Sequence, residues 1–260
     1  MKHSFAAVAV LFPALALAAP ITLTGTVRDF NAWGSTWNGV AGHPDFENVI
    51  ADDRGIVAAA LGVDGKPVYA SGSHPTIASA ASFYQWYHDD PSVNRTGSLT
   101  LTLDPATPTT WQYSSSAFFP IDGQLLDQET DDHNYGFTTE WHTIFTFLTA
   151  HDDEFSFTGD DDVWVFIDGK LAIDLGGVHG AESASVDLNS FAAANGLVDG
   201  NNYKLDIFQA ERHTTGSNFT MTTSLQLAPV HVPEPDSVAI IGLGLAALAL
   251  ARTHAARRQR

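Results

Sequence analysis

The chain has 260 residues, with 30 Asp/Glu against 12 Lys/Arg and a formal net charge of −18. So acidic a balance excludes direct binding to nucleic acid, whose phosphates need a basic footprint, and it favours soluble extracellular life and divalent cations. No cysteine is present, so disulfides are excluded and rigidity must come from the core or from bound metal.

Residues 1–18 read as a secretory signal peptide. Lys2 and His3 supply the positive start, Phe5 to Leu17 the apolar segment, and Ala16-Leu17-Ala18 an A-x-A cleavage site. From Ile21 to Phe30, ITLTGTVRDF alternates at first and predicts an edge strand. Asn31 to Asn48 predicts an ordered loop held by Trp33, Trp37 and Phe46. A short helix or turn is expected within Asn48 to Val63, and Gly62-Val63-Asp64-Gly65-Lys66-Pro67 is turn chemistry. Between Thr76 and His88, Ile77, Ala80, Ala81, Tyr84, Trp86 and Tyr87 recur at near-helical spacing and predict a short amphipathic helix.

The pattern then turns to β. Ser98 to Leu103 alternates and is expected to stop at Asp104-Pro105; Trp111 to Tyr113 predicts a short strand. AFFPIDG at 117–123 reads as an apolar corner and turn, and Asp127 to Asn134 as acidic loop. Phe137 to Leu148 is strand, ended by His151-Asp152-Asp153-Glu154. Ala184 to Asn189 reads as a strand or the start of a helix, and Phe191 to Leu197 as one helical turn closed by Asn195-Gly196. Tyr203 to Gln209 and Phe219 to Leu227 complete the strands. Many short strands with turn signals argue an all-β, antiparallel two-sheet sandwich or barrel, with short helices in the N-terminal part.

The most informative stretch is Phe155 to Gly180. Asp160, Asp161 and Asp162 precede the apolar run Val163 to Ile167; Asp168-Gly169 follows, then a second run, Leu171 to Leu175. Asp-Gly between two such runs is a strong hairpin signal, because the tight turn needs positive φ at both central residues. The first run is apolar on both faces, so the strand should be covered on both sides. Three carboxylates at the mouth of a buried strand repel one another and resist desolvation, and a hard cation would offset that. There is no EF-hand register. His133, His142 and His151 lie nine apart, which alternates strand faces and makes no zinc set. Trp111, Trp141 and Trp164 are expected in the core, though one left exposed would be able to stack on a sugar ring.

Residues 230–260 read as a second address. Pro233-Glu234-Pro235 is followed by an apolar stretch from Val238 to Ala251, and then by Arg252, Arg257, Arg258 and Arg260. The stretch is short of the roughly 20 residues that span a bilayer comfortably. Its arginines would stay cytoplasmic and leave the acidic part outside. The order of motif, short transmembrane helix and basic tail resembles the PEP-CTERM sorting signal. That resemblance implies an exosortase as processing partner, transient anchoring in the inner membrane, and a setting of extracellular polysaccharide and biofilm.

Residues 19–229 are left as the working domain. Phe118-Phe119-Pro120-Ile121-Asp122-Gly123, His133-Asn134-Tyr135, the run His142 to Phe147, Phe155 to Gly180, and Ala210-Glu211-Arg212-His213-Thr214-Thr215-Gly216-Ser217-Asn218-Phe219 resemble the fibro-slime domain family, itself related to protective-antigen-type and flocculin-like β-barrels. The resemblance implies a two-sheet antiparallel barrel. It also implies calcium held by two neighbouring Asp joined through a cis peptide, here Asp160 and Asp161, with Asn218 added from the loop 214–218. Adjacent residues of an extended chain point to opposite faces, so two such carboxylates converge only where the backbone bends sharply. Asp162, His179, Glu211 and His213 are further candidates for ligand binding, the two histidines also reading as loop-shaping hydrogen-bond groups. The function expected is a calcium-dependent carbohydrate-binding or adhesion module of the cell envelope or biofilm matrix. A structural matrix protein with a stabilising calcium, and a polysaccharide hydrolase, are the alternatives. No G-x-S-x-G, H-E-x-x-H or P-loop is present, and no enzyme is expected.

Overall fold

The computed structural model describes residues 18–126, 132–151 and 153–228. The signal peptide up to residue 17, the acidic loop at 127–131 and the sorting segment with Pro233, Glu234 and Pro235 lie outside the described residues. Among the described residues, no helix is long and apolar enough to cross a membrane. The described residues up to Ala228 form one compact unit.

The elements are, in order, β1 (Ile21–Phe30), β2 (Thr36–Trp37), β3 (Val40–Ala41), α1 (Ala80–Tyr84), β4 (Asn94–Thr107), β5 (Thr110–Ser115), β6 (Phe137–Thr146), β7 (Glu154–Gly159), β8 (Asp162–Ile167), β9 (Lys170–Leu175), β10 (Glu182–Asp187), α2 (Leu188–Asn195), β11 (Asn202–Glu211), β12 (Phe219–Thr223) and β13 (Gln226–Ala228). Apart from the small β2–β3 pair, the strands follow one antiparallel path, β10-β7-β12-β5-β4-β1-β6-β11-β8-β9, with β13 also on β6. The path folds into two layers that share β4. Its first part pairs with β1, Asn94 opposite Phe30 through Leu103 opposite Ile21. From Asp104 it pairs with β5 instead. The strand therefore does not stop at Asp104-Pro105 as the sequence suggests. It turns the corner there, and Pro105 sits at a register shift, where a residue without an N–H is tolerated. The all-β, two-layer antiparallel architecture is the one expected.

The hairpin β8–β9 forms as read, with φ of 51° at Asp168 and 72° at Gly169. All six residues of β8 are buried. Val163, Val165 and Ile167 face the space between the layers, with Leu23, Leu103, Phe145, Phe157, Ile207 and Phe219. Trp164 and Phe166 face the other way, against Phe46, Ile56, Phe83, Trp86 and Tyr87. The second cover is thus the irregular N-terminal segment, which lies over the outer face of β8 and β11. Each large apolar side chain so buried contributes about 1.5–3 kcal/mol.

Three expectations about the first half are corrected. The strand β1 is not an edge; it pairs with β4 on one side and β6 on the other, and its last four residues are buried on both faces. Trp33 and Trp37 are 58% and 49% exposed. Their loop is held instead by Phe46, stacked on Phe30 at 4.5 Å, and by the Asn31 amide, which donates to the Trp37 and Val40 carbonyls at 3.0 and 2.7 Å. Of the helix or turn expected within residues 48–63, the turn is what forms, with isolated bridges beside it. The helix expected from Thr76 to His88 contracts to α1, capped by Ser79, because Trp86 and Tyr87 must turn inward past its end. A second helix, α2, lies in the C-terminal half, closed by Gly196 in the left-handed conformation.

A charge network lies on the outer face of β6. The Glu140 carboxylate accepts from Lys66 Nζ at 2.6 Å and Arg28 Nη1 at 3.1 Å, and His142 pairs with Asp206 across the strands at 2.7 Å. Burial disfavours the charged His142 ring, but hydrogen bonds to Asp206 and Glu140 outweigh it and raise the imidazole to about 9. Burial likewise opposes the Glu140 charge, and His142, Lys66 and Arg28 outweigh it, bringing the carboxyl down to about 2. A histidine raised in the folded state stabilises fully below its unfolded value of about 6.5 and loses that contribution as pH rises through about 9. In thermal melts, the stability difference between wild type and His142→Gln is therefore expected to shrink from pH 6.5 to 9.5. The ring is 47% exposed, so solvent screening keeps the effect small. A difference that stays flat across that range rules the pairing out as a source of stability.

Candidate functional site

Four strand ends meet at one place. Gly159 at the end of β7 pairs with Phe219 at the start of β12, and Asp162 at the start of β8 pairs with Ala210 near the end of β11. The link from β7 to β8 is Asp160-Asp161, and the peptide between them is cis. Both N–H groups are tied down, Asp160 donating to the Asn218 carbonyl at 3.3 Å and Asp161 to the Ala210 carbonyl at 3.1 Å. Gly159 permits this close approach, since a Cβ there would stand 2.8 Å from the Asn218 carbonyl oxygen. The Gln209 amide secures the same bend by donating to the Asp160 carbonyl at 3.3 Å.

Strand alternation then separates the acids. Asp162 continues the outer face of β8 with Trp164 and Phe166, and Arg212 continues the outer face of β11 with Phe208 and Ala210. The Arg212 guanidinium grips Asp162 through Nε to Oδ2 at 2.6 Å and Nη2 to Oδ1 at 3.1 Å, and Gly177 N–H donates to Oδ1 at 2.7 Å. Asp162 therefore belongs to a buried ion pair, its oxygens engaged by Arg212 and Gly177. Glu211 stands on the opposite, inner face, directly across from Phe137.

Asp160 receives two donors from Asn218, the main-chain N–H on Oδ1 and the side-chain amide on Oδ2 at 2.7 Å. Asp161 receives the main-chain N–H of His179 at 3.2 Å and of Arg212 at 2.9 Å. Glu211 is fully buried, and neither of its carboxylate oxygens accepts a hydrogen bond. The neighbouring Ser217 hydroxyl is committed to the Phe118 carbonyl at 2.8 Å. Burial pushes the Glu211 carboxyl well above its usual range, and the negative charges of Asp161, Asp160 and Glu47 add to it. Burial does the same to Asp161, against the opposing charge of Arg212, and more weakly to Asp160. The site thus gathers three carboxyls whose charged forms burial disfavours, and of these Glu211 accepts no hydrogen bond.

The histidines serve the surrounding loops. The His179 ring lies against the carbonyls of Gly180 at 2.8 Å and Leu175 at 3.3 Å, so its main chain rather than its ring meets Asp161. The His213 ring bonds to the Thr214 carbonyl at 2.5 Å and stands 3.6 Å from Glu47, whose carboxylate also accepts the Thr214 N–H at 2.8 Å. Of the residues singled out in the sequence, the fold brings together Asp160, Asp161, Glu211 and Asn218. The functional roles of Arg212, Gln209 and Glu47 escape sequence reading. Arg212 alone left a signal, as one of only 12 basic residues in so acidic a chain.

Calcium takes six to eight oxygens from carboxylates, amide and main-chain carbonyls and water. The donor types present fit that requirement, and the two orphaned Glu211 oxygens are the kind of buried acceptor a cation satisfies. Among the described residues, no three His, Asp or Glu side chains already surround one point at metal-ligand distances.

Residues 121–238 match the PA14 domain, and residues 231–253 match the PEP-CTERM protein-sorting motif. Both were expected from the sequence. Among curated proteins, the chain is 39% identical over 189 residues to protein psiQ of Dictyostelium discoideum, covering 67% of this chain and 19% of that protein. It is 35% identical over 228 residues to protein psiC of the same organism, covering 80% of this chain and 41% of that protein. The chain therefore spans well under half the length of these relatives. Among solved structures, a PA14 sugar-binding domain from an RTX adhesin matches with a TM-score of 0.31 and 11% identity, over 77% of this chain and 88% of that one.

Proposed function

We propose that this chain, a PA14 domain followed by a PEP-CTERM sorting motif, is an exported calcium-dependent module that binds carbohydrate at the cell envelope or in the biofilm matrix. Asp160, Asp161, Glu211 and Asn218 would hold the ion. The observation that carries this reading is the fully buried, unpartnered Glu211 carboxylate beside two further buried acids. The three acids would supply carboxylate oxygens to the ion and Asn218 its amide oxygen, the donor types calcium takes. The extracellular partner would be a polysaccharide. The processing partner is an exosortase, acting on the segment around Pro233, Glu234 and Pro235. The module acts by binding rather than by catalysis.

A second reading has its own support. Asp160 and Asp161 are only 5% and 3% exposed, so a bound ion has little open face, which favours calcium as an internal staple in a structural matrix protein.

One experiment separates the two. Thermal melts are recorded in calcium and in chelator for wild type and Asp161→Asn, and binding to polysaccharide from the producing cells is measured in parallel. Calcium is expected to raise the wild-type Tm and leave the variant nearly unmoved. Polysaccharide binding that disappears with chelator supports the first reading, and calcium-raised melting without such binding supports the second. A wild-type Tm indifferent to calcium overturns both.

A further inference from the structure

Beyond the acidic site, the same strands carry a cavity at their other ends. Asp153 precedes β7 and Ser224 follows β12, a full strand away from Asp160 and Asn218, or about 20 Å. Together with Thr109, Trp111, His151 and Gln226 they line a space of about 300 Å³. We propose that this cavity is a second, cation-independent binding site whose ligand is a neutral hydroxylated ring, a pyranose unit of a polysaccharide.

Asp153 is the anchor. Its side chain is 4% exposed, and its Oδ2 accepts no hydrogen bond. The His151 ring nitrogen Nδ1 stands 4.0 Å away, beyond hydrogen-bond distance, on a side chain that is 44% exposed. A buried acceptor left unmade is costly, and a ligand hydroxyl restores the missing bond. The Asp153 main chain is held in place, its carbonyl accepting the Leu188 N–H at 3.0 Å at the start of α2. Trp111 is half-buried, and its indole N–H is spent on the Ala19 carbonyl at 2.8 Å. It therefore offers the cavity carbon surface alone, suited to the C–H face of a sugar ring. Thr109 and Gln226 add a hydroxyl and an amide group for the ring's edge, while the Ser224 hydroxyl accepts the Glu154 N–H at 2.9 Å. The volume falls at the small end of the range for small-molecule sites, room for one or two sugar units.

Other ligand classes fit worse. A hard cation needs six to eight oxygens, and one carboxylate with one histidine does not supply them. An anion would meet Asp153 and a chain of net charge −18.

The test is titration of the full chain in EDTA with methyl α-glucopyranoside, methyl α-galactopyranoside and methyl α-mannopyranoside, read by tryptophan fluorescence and saturation-transfer NMR. At least one glycoside is expected to saturate, with a Kd that rises about tenfold or more in Trp111→Ala and in Asp153→Ala, and far less in Trp111→Phe, which keeps an aromatic face. Thermal melts of each variant confirm that it is folded, and Trp111→Phe keeps the test valid if Trp111→Ala is not. The proposal is overturned if no glycoside saturates in EDTA. Unchanged binding in folded Trp111→Ala also overturns it. So does binding that emerges only after truncation at residue 228, which would assign the cavity to the chain's own following segment.

Discussion

Replacing Arg212 by methionine is expected to destabilise the domain by about 3–5 kcal/mol, the usual cost of removing one member of a buried ion pair. The guanidinium is fully buried and carries +1 into a low-dielectric interior. It makes five hydrogen bonds, two to Asp162, one each to the main-chain carbonyls of Asp45 and Thr76 at 3.2 and 3.0 Å, and one to the Thr76 hydroxyl at 3.3 Å. A guanidinium has five N–H donors, so every one is used. Its carbon lies 4.6 Å from the centre of the Trp86 ring. Methionine preserves length and apolar volume but leaves the Asp162 charge buried without a counterion, and two carbonyls of the outer layer without donors. The expected readout is a lower denaturant midpoint at unchanged m, measured in chelator so that metal binding plays no part. The double variant Arg212→Met/Asp162→Leu should recover most of the loss, because a well-packed apolar pair is often as stable as a buried ionic one. A single variant within 1 kcal/mol of wild type, or a double variant no better than the single, would falsify this account.

The same residues show how far the sequence could be read. Val163 to Ile167, followed by Asp168-Gly169, announce a hairpin covered on both faces, because strand periodicity and turn stereochemistry are local. What covers the outer face is not local. Phe46 and Ile56 follow neither a period of 2 nor one of 3.6, yet with Phe83 and Trp86 they dock on a strand more than 75 residues away in the chain. A segment without periodicity reads as loop, whatever it later buries. Trp33 and Trp37 show the converse, since aromatic identity argued for burial and tertiary packing did not supply a place.

The acidic run was legible as a site but not as a division of labour. Asp160, Asp161 and Asp162 are equivalent by composition, and only the pairing of β8 with β11 reveals that the third is claimed by Arg212, 50 residues on. Alternation could have supplied the rest. Once Tyr203 to Gln209 is read as strand, extending its period places Glu211 on the face of Leu205 and Ile207, and Arg212 on the face of Phe208. Adjacent residues on one strand end up in different chemistry for that reason alone.

That difference leads to the second large effect, a change of sign. In chelator, Glu211→Gln is expected to be as stable as wild type or more stable, by up to about 3 kcal/mol, because an unpartnered buried carboxylate is exchanged for a neutral group of the same shape. In calcium the order should reverse. A ligand that binds only the folded state stabilises it by about 4 kcal/mol when present at a thousandfold excess over its Kd. The variant lacks one of the three carboxylates that would hold the ion, so it forfeits most of that gain and melts below wild type. Two competing accounts give no crossing. If Glu211 merely packs against Phe137, the substitution shifts the melt equally in both buffers. If calcium binds elsewhere, both proteins gain the same increment. Melts of the two proteins across a calcium series therefore decide the matter through the crossing of two curves, which a general loss of stability does not produce.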